Sequence, residues 1–327
     1  MDPVTHALAG GLVARMGLAH RVLPPELERR GVIWMAAFAL APDLDAVVEL
    51  SGDPMAFLRY HRGFTHSLLG GAAFAFVLAL VFARVFPGVP RRRVFVLTLA
   101  GVYIHTFLDL LTSYGTMLFW PFTMRRVTLD WLWTVDPTLT GILIGGVLAA
   151  YWLRRYPRMV AKASIAMALG YILLCGGLHW AARQAIAAEA VAQDIEGIQK
   201  VAVVPAPFVP LKWTGVVETE DTWFQAHIEL GSARSADIKF AEVPKLTAHD
   251  GREALDAGDN PSLREHAQLY EWFARFPVVT VEREAGGQVV KFYDLRFNLP
   301  GVGEAQRPYD LVVRLDAEGR VVDTQLH

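Results

Sequence analysis

The chain has 327 residues, 53% of them hydrophobic and only 20% charged, and its mean hydropathy is +0.30. Soluble domains are ordinarily less apolar and more charged, and the length is that of two domains rather than one. A formal net charge of −2 excludes a strongly basic nucleic-acid binder, and no Lys/Arg stripe with interleaved aromatics appears. Cys175, in an apolar run, is the single cysteine and cannot form an internal disulfide. The start, Met1-Asp2-Pro3, lacks the basic region of a conventional signal peptide.

Apolar runs are confined to the first 190 residues or so, and six are read in chain order. Val4 to Ala19 is short and contains Arg15. Gly31 to Leu50 carries two aspartates near its end. Ser67 to Phe86 and Val94 to Leu111 are long enough to cross about 30 Å of hydrocarbon. Leu139 to Leu153 is followed by basic residues, and Val160 to Trp180 closes the set. The expectation is an α-helical transmembrane domain of about six helices over residues 1–190.

Loop charge gives an orientation. Odd-numbered loops hold eleven basic residues (from Arg21 to Lys162) and even-numbered loops four, namely Arg59, Arg62, Arg125 and Arg126. The positive-inside rule puts the odd loops in the cytoplasm. Both termini are then expected outside the cytoplasm, and Trp120, Trp131 and Trp133 fit an aromatic belt on that outer face.

After Arg183 the texture changes. The last helix runs on to about Gln193, and short alternating runs follow: Val201–Val204, Thr222–Leu230, Val278–Glu282, Val289–Phe297 and Leu311–Leu315. Gly, Pro and Asp turns separate them. Ser262 to Phe276 has apolar residues at helical spacing. Residues 191–327 are therefore expected to form a small α+β domain, on the outer side if the spans are even in number.

The ionisable residues of the apolar part gather at one membrane level. Asp2 and His6 share a face at the start of the first run. Asp43 and Asp45 lie near the end of the second. His61, Arg62, Thr65 and His66 precede the third, and His105 and Asp109 sit four apart near the end of the fourth. Carboxylates within a bilayer cost several kcal/mol unless paired or hydrated, so they mark functional sites by default. Such a cluster needs a counter-charge, and a divalent cation supplies one. Imidazole with carboxylate suits Zn²⁺, with Mn²⁺ or Fe²⁺ open. The ligand set is read as Asp2, His6, Asp43, Asp45, His61, His66, His105 and Asp109. That exceeds one tetrahedral site, and two ions bridged by a carboxylate would use it better, as in phosphate-ester hydrolysis. Asp43 or Asp45 would bridge the ions or act as base. Arg62 would clamp a phosphate or pair with one of the acids. Asp130 and Asp136 are weaker candidates, and His20, His179, His227, His249, His266 and His327 are scattered.

These residues give the chain a resemblance to the bacterial family of membrane-bound metal-dependent hydrolases, the YdjM-like inner-membrane proteins. The resemblance rests on Asp2-Pro3-Val4-Thr5-His6, Pro42-Asp43-Leu44-Asp45, His61-Arg62-Gly63-Phe64-Thr65-His66-Ser67 and His105-Thr106-Phe107-Leu108-Asp109. It continues through Thr112-Ser113-Tyr114-Gly115, Trp120-Pro121-Phe122, Asp130-Trp131 and Asp136-Pro137. It implies a multi-pass protein of the bacterial inner membrane and a helical His/Asp site distantly similar to that of zinc-dependent phospholipase C. The expected function is hydrolysis of a phosphoester or phosphodiester in a lipid or lipid-linked substrate at the outer face. The rival is a metal-binding transporter or sensor without chemistry. Against it, the polar residues sit at one face rather than at the midplane, and no repeat is visible.

Overall fold

A computed structural model describes residues 1–53, 55–231, 238–245, 261–284, 286–299 and 307–327; His249 lies outside them. The chain forms two compact units. The first comprises Met1–Val47 and Tyr60–Gly177, and the second Val48–Arg59 and Leu178–His327.

The first unit is helical. Helix α1 (Pro3–Val13) starts where the Asp2 side chain accepts from the Thr5 amide at 3.0 Å, with proline in the first turn where its missing N–H costs nothing. A π-helical stretch (Ala14–Leu18) and the short α2 (Ala19–Val22) lead to α3 (Pro25–Phe38). A 3-10 stretch (Ala41–Ser51) follows α3, then α4 (Ala56–Tyr60), a 3-10 turn (Phe64–His66) and α5 (Leu68–Phe82). Helices α6 (Arg91–Leu110), α7 (Pro137–Trp152) and α8 (Pro157–Ala192) complete the set. Ser67 caps α5 through the Gly70 amide, and Asp136 caps α7 through the Leu139 amide.

Of the six expected spans, length and apolarity support three or four. Among the described residues three helical segments are long and apolar enough to cross a membrane: Pro25–Ser51, Arg91–Leu110 and Pro157–Ala192. A fourth counts if Ala56–His66 and Leu68–Phe82, bent by 73°, act as one broken span. The first and fifth runs give shorter helices, α1 with 11 residues and α7 with 16, which rise about 16 and about 24 Å against about 30 Å of hydrocarbon. Helix α1 continues through the π-helical stretch and α2 to Val22, with a break at Gly17, and packs against α3, α6 and α7. Polar groups in such a short helix sit close to the site that its first turn reaches.

Two glycines set that packing. A Cβ on Gly10 of α1 would meet Ala39 Cβ and the Met35 carbonyl oxygen at 2.7 Å each, and one on Gly101 of α6 would meet Phe38 Cβ at 2.6 Å. Both helices therefore approach the end of α3 more closely than any side chain allows, the usual device where helices associate in lipid. Outward-facing Phe76, Val77 and Val81 on α5 and Leu173 and Leu174 on α8 are all more than half exposed. A bilayer covers such a surface; water would not tolerate a patch of this extent.

The second unit is β-rich. Strands β1 (Lys200–Pro205), β2 (Lys212–Glu218), β3 (Thr222–Glu229) and β4 (Ala241–Pro244) form one antiparallel meander. After helix α9 (Pro261–Phe273), strands β5 (Pro277–Glu284), β6 (Gly287–Asp294), β7 (Leu311–Asp316) and β8 (Val321–Leu326) form another. The expected run Val289–Phe297 ends as a strand at Asp294. There the chain turns so that Arg296, fully buried, reaches Asp294 at 2.7 Å and the Phe273 carbonyl at 3.1 Å. Trp223, Phe276, Val278 and Leu295 join the two sheets in one apolar cluster.

Candidate metal centre

Three chain segments converge at the C-terminal end of α3. The 3-10 stretch after α3 brings Asp43 and Asp45, the loop before α5 brings His61 to His66, and the last turns of α6 bring His105 and Asp109. His6, His66, His105 and Asp109 are completely buried.

His66 and His105 face each other with their Nε2 atoms 3.0 Å apart. Asp43 Oδ1 lies 3.4 and 3.3 Å from these two nitrogens, and Asp109 Oδ2 lies 3.3 and 3.2 Å from them. Both opposite ring nitrogens are already committed. His105 Nδ1 donates to the Ala39 carbonyl at 2.7 Å. His66 Nδ1 stands 2.9 Å from Thr65 Oγ1 and 3.1 Å from Asp45 Oδ2, and since Thr65 Oγ1 gives its own proton to Asp45 Oδ2 at 2.8 Å, His66 Nδ1 is the donor. In neutral imidazoles the two Nε2 atoms then present lone pairs to each other.

Two lone pairs at that distance, beside two carboxylates, are repulsive unless a proton or a metal ion lies between them. The donor set fits a metal ion. The centre of a tetrahedron whose edges resemble these separations lies about 2.0 Å from each corner, the usual distance from zinc to nitrogen or oxygen. The fixed Nδ1 partners are the second-layer hydrogen bonds that metal-binding histidines almost always make.

Asp43 also belongs to a second grouping, with Asp45 and His61. One carboxylate oxygen of Asp45 meets His61 Nδ1 at 2.7 Å, and the other accepts from Thr65 Oγ1 and, at 3.1 Å, from the Arg62 amide. Asp45 thus orients two histidines. Asp43, about a third exposed, is the more open of the two acids.

His6 stacks on His105, ring centres 3.8 Å apart, with Nε2 3.3 Å from Asp109 Oδ1. Neither of its ring nitrogens makes a hydrogen bond, so beyond this ionic contact with Asp109 the buried ring has no polar partner. The Met1 backbone nitrogen is at 2.5 Å from Asp109 Oδ1.

Arg62 faces inward. Its guanidinium pairs with Asp109 at 3.0 Å, donates to Thr112 Oγ1 at 3.1 Å and lies over the Tyr114 ring. Of the two roles open to it in the sequence, pairing with an acid is the one the geometry displays. Its backbone is left-handed, φ 59°, which turns the chain so that its amide and the side chains of His61 and Thr65 all reach Asp45.

Asp2 is not brought into either grouping. Its carboxylate accepts from the Thr5 amide and, at 2.6 Å, from Thr5 Oγ1; its i,i+4 spacing from His6 reflects a helix cap. Asp136 likewise caps α7 and accepts from Tyr171 at 2.9 Å. Asp130 Oδ1 accepts from Thr128 Oγ1 at 3.0 Å. His227 lies against Thr214 in the β unit and His20 beside Glu28 at the start of α3. Three partners of the centre were not singled out in the sequence. The Ala39 carbonyl and the Met1 nitrogen are backbone groups and leave no trace there. Thr112 is visible only as part of the Thr112-Ser113-Tyr114-Gly115 motif.

A helical membrane unit with a buried His/Asp cluster able to hold a metal ion is thus the class of protein that fold and site define. The chain belongs to the YdjM inner membrane protein family, whose model matches residues 1–184. It is 31% identical over 189 residues to the inner membrane protein YbcI of Escherichia coli K12, covering 46% of this chain and 98% of that protein. It is 23% identical over 326 residues to the protein YfhP of Bacillus subtilis 168, covering 98% of this chain and 95% of that one. No solved structure matches. All motif residues of the centre fall inside the family match, and the family name places the chain in the inner membrane.

Proposed function

We propose that the protein is a metal-dependent hydrolase that cleaves a phosphoester or phosphodiester of a lipid or lipid-linked substrate at the outer face of the membrane. The facing Nε2 atoms of His66 and His105, flanked by Asp43 and Asp109, carry this reading, because one metal ion would take up both lone pairs and both carboxylates. These four residues would hold one ion and Asp43, Asp45 and His61 a second, with Asp43 shared. Zinc suits the mixed nitrogen and oxygen donors best, and Mn²⁺ or Fe²⁺ would also fit. When bound, such ions supply Lewis acidity toward a phosphoryl oxygen and toward water.

The chain's own groups do the rest. Asp43 or Asp45 would bridge the ions or accept a proton from an attacking water, and Asp43 is the more open of the two. Asp45 fixes His61 and His66 through their Nδ1 atoms. Arg62 balances the charge of Asp109 and holds it in place. Buried Leu108, Leu111 and Leu132 exclude water from the inner side, which strengthens every charge interaction there.

The test is hydrolysis of phosphate mono- and diesters, including phospholipids, by the purified protein in detergent, with and without chelator. Chelator-sensitive turnover restored by zinc is the expected result. A metal-loaded protein that hydrolyses none of these substrates would instead favour the transport or sensor reading.

A further inference from the structure

The opposite end of the same helices carries a second polar feature. Helix α3 rises about 20 Å from Pro25 to Phe38 before the chain reaches Ala39 and the His/Asp centre. At its N-terminal end lies a cavity of about 740 Å³, lined by the first turns of α3 and α8, by Arg15 after α1 and by the turn before α8. This volume is in the range that small-molecule sites occupy.

Its charge is one-sided. Arg15, Arg29, Arg155, Arg158 and Lys162 line it, with Glu28 the only acid in the lining. Glu28 is consumed by Arg158, whose Nη2 donates to both carboxylate oxygens at 3.2 and 3.1 Å and to His20 Nδ1 at 2.8 Å. That network fixes Arg158 at the cavity wall. Arg15, Arg29 and Lys162 have no acidic partner among the described residues. Two helix N-termini, those of α3 and α8, also open here and add positive potential. Apart from Glu28, no anion within the described chain balances this set.

The rest of the lining is apolar. Val32 and Met159 face the cavity, and Tyr151, Trp152 and Tyr156 nearby are all more than half exposed. Aromatic residues at that density beside basic ones mark the level of lipid headgroups. A soluble anion would gain nothing from Val32 and Met159, whereas a headgroup continuing into acyl chains would.

We propose that this cavity binds the phosphate-bearing headgroup of an anionic phospholipid, at the membrane surface remote from the His/Asp centre. Basic pockets between membrane helices bind such headgroups through the attraction that draws Lys and Arg to anionic leaflets. Arg29 presents a planar fork suited to phosphate oxygens, Lys162 and Arg15 add charge, and Arg158 stays paired with Glu28 at the wall. The site is independent of whether the metal centre is catalytic.

The experiment is lipid retention by the full-length protein in mixed micelles, read by native mass spectrometry. The lipids are phosphatidylglycerol and phosphatidylcholine, with inorganic phosphate as a third arm. Preferential retention of one phosphatidylglycerol is expected, falling about fivefold for each charge removed in Arg29→Gln and Lys162→Gln. A control variant, Arg91→Gln with Arg92→Gln, removes basic residues of α6 that do not line the cavity and should retain the lipid fully. Equal retention of the two lipids would overturn the proposal. So would a loss in the control as large as in the cavity variants, since surface charge alone would then explain binding. Stabilisation by inorganic phosphate without any preference for phosphatidylglycerol would likewise overturn the lipid assignment. Thermal unfolding of each variant without lipid separates lost binding from lost folding.

Discussion

His105 Nδ1 donates to the carbonyl of Ala39 at 2.7 Å, and this one bond ties the metal-facing imidazole of α6 to the end of α3. It commits the ring's proton to the backbone and leaves Nε2 as a lone pair aimed at His66. The close approach it needs is permitted by Gly101, which faces Phe38 and Ala39.

Metal content should separate ligands from caps. His66→Ala and His105→Ala are expected to lose most of the bound transition metal in the purified protein, measured by plasma mass spectrometry. Asp2→Ala should keep it and lower stability by about 1 kcal/mol, the typical value of an N-cap. Metal loss in Asp2→Ala with normal folding would return Asp2 to the ligand set.

Asp45→Asn should weaken metal binding without abolishing it. Both Asp45 oxygens accept hydrogen bonds, from His61 on one side and from Thr65 and the Arg62 amide on the other. An amide must turn a donor toward one of these donors. For the ion held by His66 and His105, to which Asp45 is an outer-layer partner, the expected loss is about 10- to 100-fold in affinity; the ion that Asp45 itself would ligate should be lost. Competition with a chelating dye measures it, and an unchanged affinity would show that the histidines orient themselves.

For Arg62, the planar fork is the point. Arg62→Lys keeps the charge beside Asp109 but cannot reach Thr112 at the same time, so metal should be retained while any phosphoesterase turnover falls. Arg62→Ala removes one of the buried cations beside Asp109, the Met1 amine remaining, and the stability lost should be less than the about 3 kcal/mol of a buried carboxylate left with no partner. Full turnover in Arg62→Lys would mean that the guanidinium contributes only charge.

In the β unit, Arg296→Met should destabilise by about 3 kcal/mol, because Asp294 would stay buried with its charge unpaired. Adding Asp294→Asn should recover part of the loss. Differential scanning fluorimetry of the two variants checks this, and no recovery in the pair would point to packing around Phe273 and Phe297 as the dominant contribution.

With an even number of spans, loop charge predicts that the C-terminal unit lies outside the cytoplasm. An alkaline phosphatase fused at the C-terminus should be active in cells and a fluorescent protein fused there should stay dark. The reverse pattern would move the metal centre, and the proposed substrate, to the other leaflet.

What the sequence determined by itself is chemical and local. Apolar runs before residue 190, strand-length alternation after it, and His and Asp at i,i+4 spacing all follow from side-chain type and period. The pairing of His105 with Asp109 on one face of α6 was legible for that reason. Span number was not, because a run such as Pro3–Val13 is apolar for packing as readily as for crossing lipid, and its composition does not tell which. Nor was the division between ligand and cap. Asp2 and Asp109 each lie four residues from a histidine, yet Asp2 spends its oxygens on the first turn of its own helix while Asp109 faces four groups from other segments. Only the tertiary structure decided that, since Met1, His6, Arg62 and His66 reach Asp109 from as far as 108 positions away, and the glycine contacts that bring those segments together leave no periodic signal in the chain.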